Sequence, residues 1–471
     1  MEQHSEIFVN GAWVPSASTE VIEVIDPATE DIVATVPRGT GADVDDAAKA
    51  AAASFGSWSR TSPRERAQVF ADLAELVAAR SPEITQTIVR EVGYPASVAA
   101  VTQVAGAVEE LRLIAESLGE ITWTDRVGNT AIRREPSGVV GAITAWNAPL
   151  RSIVSKAGAA IAAGCTVVLK PSEVAPLTGY TFVELAKQAG LPDGVLNMVS
   201  GTGPEVGEPI AGHPLVDMVS LTGSVRAGRR VMQVAAETIK RVHLELGGKS
   251  ANVILPDADL QRAVNVGVED GFRNAGQVCG GLTRILVPRD RLREAEGIAA
   301  AKAESYVLGD PFAPATTLGP VATAEAHERV RNYIRVGVAE GARMLSGGAE
   351  QPAGLEHGYF VRPTVFTGEN SMRIAQEEIF GPVLVIIPYA DEDEAIAIAN
   401  DSPYGLAGAI WSGDPPRARD LAGRLRVGRI RINGAPLDKR GTHGGFKLSG
   451  VGREWGRIGI EEFLEYKSVF G

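Results

Sequence analysis

Gly138–Thr144 reads GVVGAIT, and four further apolar runs follow it: CTVVLK from Cys165, VLNMVS from Val195, VDMVSLT from Val216 and VHLEL from Val242. Each run is short and rich in β-branched residues, and helix-forming stretches separate them. That alternation is the pattern of βαβ units, in which a parallel sheet is covered by helices on its faces and ligands collect at the carboxyl ends of the strands. Downstream, a second series begins at Ala251 (ANVIL) and continues through Arg284 (RILV), Val383 (VLVIIPY), Gly408 (GAIW) and Arg429 (RIRIN). Two α/β lobes are predicted.

Upstream, residues 45 to 118 are dense in Ala, Glu, Leu and Val at helical spacing, as in RERAQVFADLAELVAA from Arg64, with interruptions at Pro63, Pro82 and Gly93. These predict packed helices. Two segments follow neither rhythm: GEITWTDRVGNTAIRREP (Gly119–Pro136) and EFLEYKSV from Glu462 alternate polar and β-prone residues. Both are expected to be strands that pair outside their own lobe, in the manner of an exposed sheet edge.

At 471 residues the chain exceeds one ordinary hydrophobic core, and its 45% hydrophobic and 22% charged residues are those of a globular enzyme. No run approaches the roughly twenty apolar residues of a membrane span. The opening MEQHSEIFVNGAWV places acidic and polar groups where an export signal has a basic patch and an apolar core, so a cytoplasmic location is expected. A net charge of −12 opposes binding to nucleic acid or anionic lipid and favours a small-molecule partner. With two cysteines, six histidines and no paired ligand spacing, neither a disulfide framework nor a metal site is expected.

Three segments carry chemistry. In FRNAGQVCGGLTR (Phe272–Arg284), Cys279 stands among glycines and amides, which permit close backbone approach and neutral hydrogen bonding. A free cysteine is more often a small core residue, and Cys165, in the apolar run AAGCTVVLK, reads as one. In HLELGGKSAN, Glu245 ends an apolar strand just before two glycines, where an α/β enzyme places a catalytic group, although taken alone an acid there is more often a cap or half of an ion pair. In AWNAPLRSIVSK, Asn147 follows a strand end and precedes a helix that carries Lys156.

Together with KPSE at Lys170, LTGSVRAG at Leu221, EEIFGPV at Glu377, SPYGLAGAIW at Ser402 and GGFKLSGVGRE at Gly444, these segments resemble the aldehyde dehydrogenase superfamily along essentially the whole chain. The resemblance implies an α/β aldehyde dehydrogenase-like fold. A Rossmann-like cofactor domain would span 1–118 and 137–247, a catalytic domain 248–448, and strand segments 119–136 and 456–471 would serve a homodimer or homotetramer. It implies NAD-dependent oxidation of an aldehyde to a carboxylic acid, with Cys279 attacking the carbonyl and Asn147 and the Cys279 N–H stabilising the oxyanion. Glu245 would then activate water against the thioester, while Lys156 or Glu245 would favour the thiolate.

For the cofactor, the same resemblance implicates Ile143, Thr144 and Trp146 at the nicotinamide half, Glu378 and Phe380 at its ribose, and Gly203 and Gly207 of GTGPEVG at the adenine. Ser224 would open a helix facing the pyrophosphate, flanked by Thr222 and Gly223, with Ser172, Leu246 and Gly247 completing the cleft. Lys170 and Glu173 would meet the adenine ribose, so NAD is expected to be preferred and NADP to be the weaker alternative.

On the aldehyde side the chain departs from the common family pattern. Ala148 replaces a bulky aromatic, and Thr442–His443 replace a frequent Pro-Phe. With Ser152 and Ser155 at helical spacing from Ala148, an open and partly polar wall is expected, bordered by Val278, Gly280 and Leu437, unless Trp455 or Leu437 refills it. Bulky or aromatic aldehydes should then outperform acetaldehyde. Arg273, six residues before Cys279, matches an arginine that grips a distal carboxylate in succinate-semialdehyde dehydrogenases. The second arginine of that group falls at Ser155, with Arg151 one turn earlier, and Arg273 could instead pair with Glu269 or Asp270. Two alternatives are a CoA-acylating semialdehyde dehydrogenase and a non-catalytic structural relative of the fold; the presence of Glu245 speaks against the first and the set Asn147, Glu245 and Cys279 against the second.

Overall fold

The structure, a computed structural model, describes residues 2–471. Its first sheet has the order Gly450–Val451, Arg241–Glu245, Met218–Thr222, Val139–Ile143, Thr166–Lys170, Leu196–Met198, Glu6–Val9 and Ala12–Pro15. The five strands from Arg241–Glu245 to Leu196–Met198 are parallel. These are the five runs read from Gly138 onward, and their buried residues explain why: Val139–Ile143 and Thr166–Lys170 are buried along their whole length.

The upstream helices share a core with this sheet. Pro63 and Pro82 lie at helix starts, where a missing N–H costs nothing, and Gly93 ends Ser81–Val92 in a left-handed turn at φ +83°. Phe70, Leu73, Val77, Ile88 and Leu111 pack with Val140, Val167 and Leu169.

The second sheet runs Arg343–Ser346, Thr364–Thr367, Val383–Tyr389, Arg284–Pro288, Ala251–Ile254, Ala407–Trp411 and Arg429–Ile432. All its pairs are parallel except the one at the Arg343–Ser346 edge. The Thr364–Thr367 and Arg343–Ser346 strands were not anticipated; both are short and the latter is largely exposed, so neither carries a strong apolar signal.

Thr124–Val127, Thr130–Pro136 and Leu464–Phe470 form a separate antiparallel sheet. It is rooted in the first core through Leu464 and leaves Val127, Tyr466, Val469 and Phe470 exposed. Gly456–Glu461, within the segment expected to be an arm, is instead a helix against the first lobe, with Ile460 buried in that lobe's core. Among the described residues no helix is long and apolar enough to cross a membrane.

Candidate active site

The carboxyl ends of the first sheet open into a cavity of about 530 Å³ that ends at Cys279. Glu245 is the last residue of its strand and is 2% exposed. Its strand pairs on one side with Met218–Thr222 and on the other with Gly450–Val451, where Glu245 stands opposite Gly450. Gly450 has φ +130°, and a Cβ there would lie 2.0 Å from the Leu244 carbonyl, so only glycine fits.

Cys279 sits on a loop bent by three consecutive left-handed residues, Asn274, Ala275 and Gly276, that follow the helix Leu260–Phe272. For Asn and Ala this conformation is strained, and neighbouring bonds hold it. Gln277 donates from Nε2 to the Asn274 carbonyl and accepts from the Ala322 N–H. Gly276 is the tightest point, since a Cβ would meet the Gly381 carbonyl oxygen at 2.0 Å.

Asn147 is tied to this loop. Its Nδ2 donates to the Gln277 carbonyl at 2.9 Å, which leaves one amide hydrogen free, and its own carbonyl accepts from the Tyr94 hydroxyl at 2.9 Å. The side-chain amide is therefore held two residues from Cys279 by its bond to Gln277, while Tyr94 anchors the backbone carbonyl of the same residue.

Burial governs the charges. It pushes Glu245 up to about 7, against the pull of Lys156 and Arg429, and lifts Glu378 to about 7 as well. The Cys279 thiol is driven well above its ordinary value by burial and by the neighbouring Glu245, and Arg429 is the cation that opposes this rise. At neutral pH the resting sulfur is a thiol, with Glu245 beside it.

At the far end of the cavity, the helix Val225–Ala236 begins with Ser224 as its cap, its hydroxyl accepting from the Ala227 N–H. Lys170 and Glu173 form an ion pair at 2.9 Å, and Glu378 accepts from the Gly248 N–H at 3.1 Å. Trp146 and Phe380 meet edge to face at 5.5 Å, with Phe380 in a left-handed conformation at φ +58°.

A sequence profile of the aldehyde dehydrogenase family matches residues 13–469. The chain belongs to the aldehyde dehydrogenase family. It is 47% identical to a 3-succinoylsemialdehyde-pyridine dehydrogenase from a Pseudomonas species, over 100% of this chain and 99% of that protein. Aldehyde dehydrogenase C of Pseudomonas syringae, solved as a mutant with NAD+ and octanal, superposes with a TM-score of 0.98 at 48% identity, covering 99% of this chain and 96% of that one. A Mycobacterium tuberculosis aldehyde dehydrogenase in complex with NAD+ gives a TM-score of 0.97 at 43% identity, covering 100% and 98%.

Set against the family pattern, the cofactor residues and the aldehyde-side residues fare differently. Every residue assigned to the cofactor lines the one cavity, from Gly203 and Gly207 at one end to Leu246, Gly247 and Thr222 beside Glu245. Arg226 and Arg329 line it too and were not anticipated; Arg226 stands in the first turn after Ser224, the signal that could have marked it.

Lys156 is not beside the sulfur. It is fully buried, bonded to Glu454 at 2.7 Å and to the Ser220 hydroxyl at 3.2 Å, so its charge is spent on a buried pair. Arg429 takes the place expected of it: a Cβ on Gly280 would lie 2.6 Å from an Arg429 terminal nitrogen. Arg429 and Arg431 alternate with Ile430 and Ile432, so strand periodicity put both arginines on one face.

The open polar wall is also absent. Ser152 is buried and accepts from the Ala145 N–H at 3.2 Å, and Ser155 is buried and donates to Glu110. The helix takes a wider π turn over Val154–Gly158, which turns Ser155 away from the cavity. Trp455 stacks on His443 at 4.7 Å, with the guanidiniums of Arg151 and Arg429 over it at 5.8 and 5.4 Å. Leu437 is 40% exposed and fills nothing. Arg273 is 3.8 Å from Asp270, but Arg431 holds the same carboxylate at 2.8 Å, so Arg273 is the looser of the two partners. Val278, just before Cys279, accepts at its carbonyl from the Gly281 N–H at 3.0 Å.

Proposed function

We propose that the protein oxidises an aldehyde to a carboxylic acid with NAD, through Cys279 as nucleophile and Glu245 as base. The observation that carries this reading is the convergence of Cys279, Glu245 and Asn147 at the inner end of a cavity whose outer end has the polar groups a dinucleotide requires. Gly203 has nothing within 4 Å of a built Cβ, and Gly207 only side-chain tips beyond 3.6 Å, so backbone and ligand can approach closely there. Ser224 and Arg226 offer N–H and cationic charge to phosphates, Lys170 and Glu173 a donor and an acceptor to ribose hydroxyls, and Glu378 an acceptor to the second ribose.

As the Cys279 thiol attacks, its proton passes to the neighbouring Glu245 or to water in the cavity and from there to solvent, so that Glu245 is again a carboxylate when the thioester forms. The free Asn147 amide hydrogen and the Cys279 N–H stabilise the oxyanion that forms. NAD, when bound, supplies the electron-poor ring that takes up the hydride released as the tetrahedral carbon becomes a thioester. Glu245 next removes a proton from water, which attacks the thioester carbon and expels the sulfur. Rapid mixing of Glu245→Gln with NAD and aldehyde tests this: up to one equivalent of NADH per site should form before slow turnover, and a wild-type steady rate would remove Glu245 from the mechanism.

We assign residues 1–118 and 137–247 to the cofactor domain and 248–448 to the catalytic domain. The Thr124–Pro136 and Leu464–Phe470 strands support a homodimer or homotetramer through their exposed apolar side chains. The cytoplasm is the proposed location, in keeping with two free cysteines. Bulky aldehydes are the proposed substrates. One relative is named for a pyridine-bearing semialdehyde and another was solved with octanal. An aldehyde panel scored by kcat/KM tests this, with acetaldehyde predicted to be the poorest. A distal carboxylate on the substrate would find Arg273, which shares Asp270 with Arg431, as its available guanidinium.

A further inference from the structure

His443 lies where many members of the family carry phenylalanine, and the structure puts it inside the catalytic group. It is 6% exposed, its Nε2 is 2.8 Å from Glu245 Oε1, and polar atoms of His443, Glu245 and Cys279 all lie within 4.8 Å of one another. Its placement is rigid. The backbone pairs with Glu454 in both directions, at 2.9 and 2.7 Å, and the ring stacks on Trp455 at 22°.

The ring's protonation follows from its surroundings. Burial is the chief cause that holds the imidazole neutral, well below its ordinary value; Arg429, Arg151 and Lys156 face the ring and add to it, with Glu454 and Glu245 the acids beside it. A neutral imidazole carries one N–H. Nδ1 is buried without a hydrogen-bond partner, whereas Nε2 faces a carboxylate oxygen, so the hydrogen belongs on Nε2. Phenylalanine at this position could stack on Trp455 equally well but could donate nothing.

We propose that His443 is a positioning residue for deacylation: its Nε2–H engages one oxygen of Glu245, holds the carboxylate ionised, and leaves the other oxygen to take the proton of the hydrolytic water. In that step the water oxygen bonds to the thioester carbon, its proton moves to the free oxygen of Glu245, and the breaking C–S bond returns its electron pair to the Cys279 sulfur. The inference rests on the reading of Glu245 as the base. The groups that set the proton affinity of Glu245 come from every side: Lys156 and Arg429 lower it, burial raises it, and Cys279 and Glu378 lie close enough to couple to it. His443 adds a neutral donor to this set, and a donor to the charged form stabilises that form. Its removal therefore raises the pKa of Glu245.

His443→Phe and His443→Gln separate this role from packing. The phenylalanine keeps the stack and loses the donor, while the glutamine loses the stack and keeps a donor. In His443→Phe the NADH burst should persist, and the steady rate at neutral pH should fall about fivefold because the acid limb moves up by about one pH unit. In His443→Gln the limb should stay where the wild type has it. A phenylalanine variant whose pH profile superposes on the wild type overturns the inference, as does a glutamine variant whose limb moves as far as the phenylalanine's. A measurement on the unaltered protein is independent of how the variants fold. Imidazole ¹⁵N shifts should show a neutral ring protonated at Nε2 between about pH 6 and 8, and a hydrogen on Nδ1 overturns the proposal. If Glu245→Gln turns over at the wild-type rate, the reading of Glu245 fails. If that variant is slow while His443→Phe matches the wild type, only the role of His443 fails.

Discussion

On the side of Cys279 that faces Gly207 and Ser224, the cavity is built from strand ends, a helix start and glycines. On the other side, toward Trp455, it is built from long charged side chains packed on one another: Arg151 and Arg429 over the indole, His443 stacked on it, and Glu110 and Glu454 holding Ser155 and Lys156. The first kind of wall depends on local backbone geometry and tolerates little change. The second depends on which distant residues neutralise one another, so one substitution redirects several partners. Chemistry at Cys279 draws on both, with cofactor geometry from the first wall and the charge of the sulfur and its base from the second.

The largest effect expected from breaking this arrangement is at the sulfur. Cys279→Ser should lower NADH formation by at least about a thousandfold and abolish the burst, because a serine hydroxyl has no comparable way to ionise there. Next comes Glu245→Gln, with a steady rate down by about a hundredfold or more. In the wild type the base form of Glu245 exists above its raised pKa of about 7, so the steady rate should fall as pH drops through that value, and a rate flat from about pH 5 to 9 would place the limiting proton elsewhere.

Arg429→Leu tests the charged wall itself. Without that cation the Cys279 thiol should ionise less readily, and alkylation by iodoacetamide at neutral pH should slow by about tenfold; an unchanged rate would return the role to Lys156. Smaller still is the effect of Glu173→Gln. Removing a carboxylate that repels a 2′-phosphate should improve kcat/KM for NADP relative to NAD by about fivefold. The smallest effect falls on Ser155→Ala, which takes one hydrogen bond from the buried Glu110. Stability should drop by about 1 kcal/mol, read as a lower Tm, with kinetic constants nearly unchanged. A changed KM would put Ser155 back in the substrate wall.

The same contrast explains what the amino-acid sequence made legible. The central strands of the two sheets were readable because they are buried on both faces and their runs are largely apolar, and Glu245 was readable because a strand end followed by two glycines is a local pattern. Cys279 was readable from its glycine and amide neighbours once the family motifs joined it. Lys156 was misplaced because its partner, Glu454, lies 298 residues away, and no spacing within its own helix reveals a distant acid that absorbs the charge. Ser155 was misplaced because one π turn rotates a helical face. Arg429 and His443 were the costliest to miss. The alternation in RIRIN pointed at the first, while the substitution of a frequent aromatic by histidine was seen but read only as lost bulk.

The strand Gly450–Val451 leaves the second lobe and returns to the edge of the first, where it pairs with Leu244 and Glu245. His443, just before it, stands 198 residues beyond the carboxylate it touches. During synthesis on the ribosome, the first lobe can therefore assemble its parallel strands long before its reactive acid has a neighbour on its outer side. A chain released before residue 443 carries Cys279, Asn147 and the entire cofactor cleft, yet its carboxylate hangs from an unfinished sheet edge. The neighbours that complete the surroundings of Glu245 thus lie in the last stretch of the chain to be made.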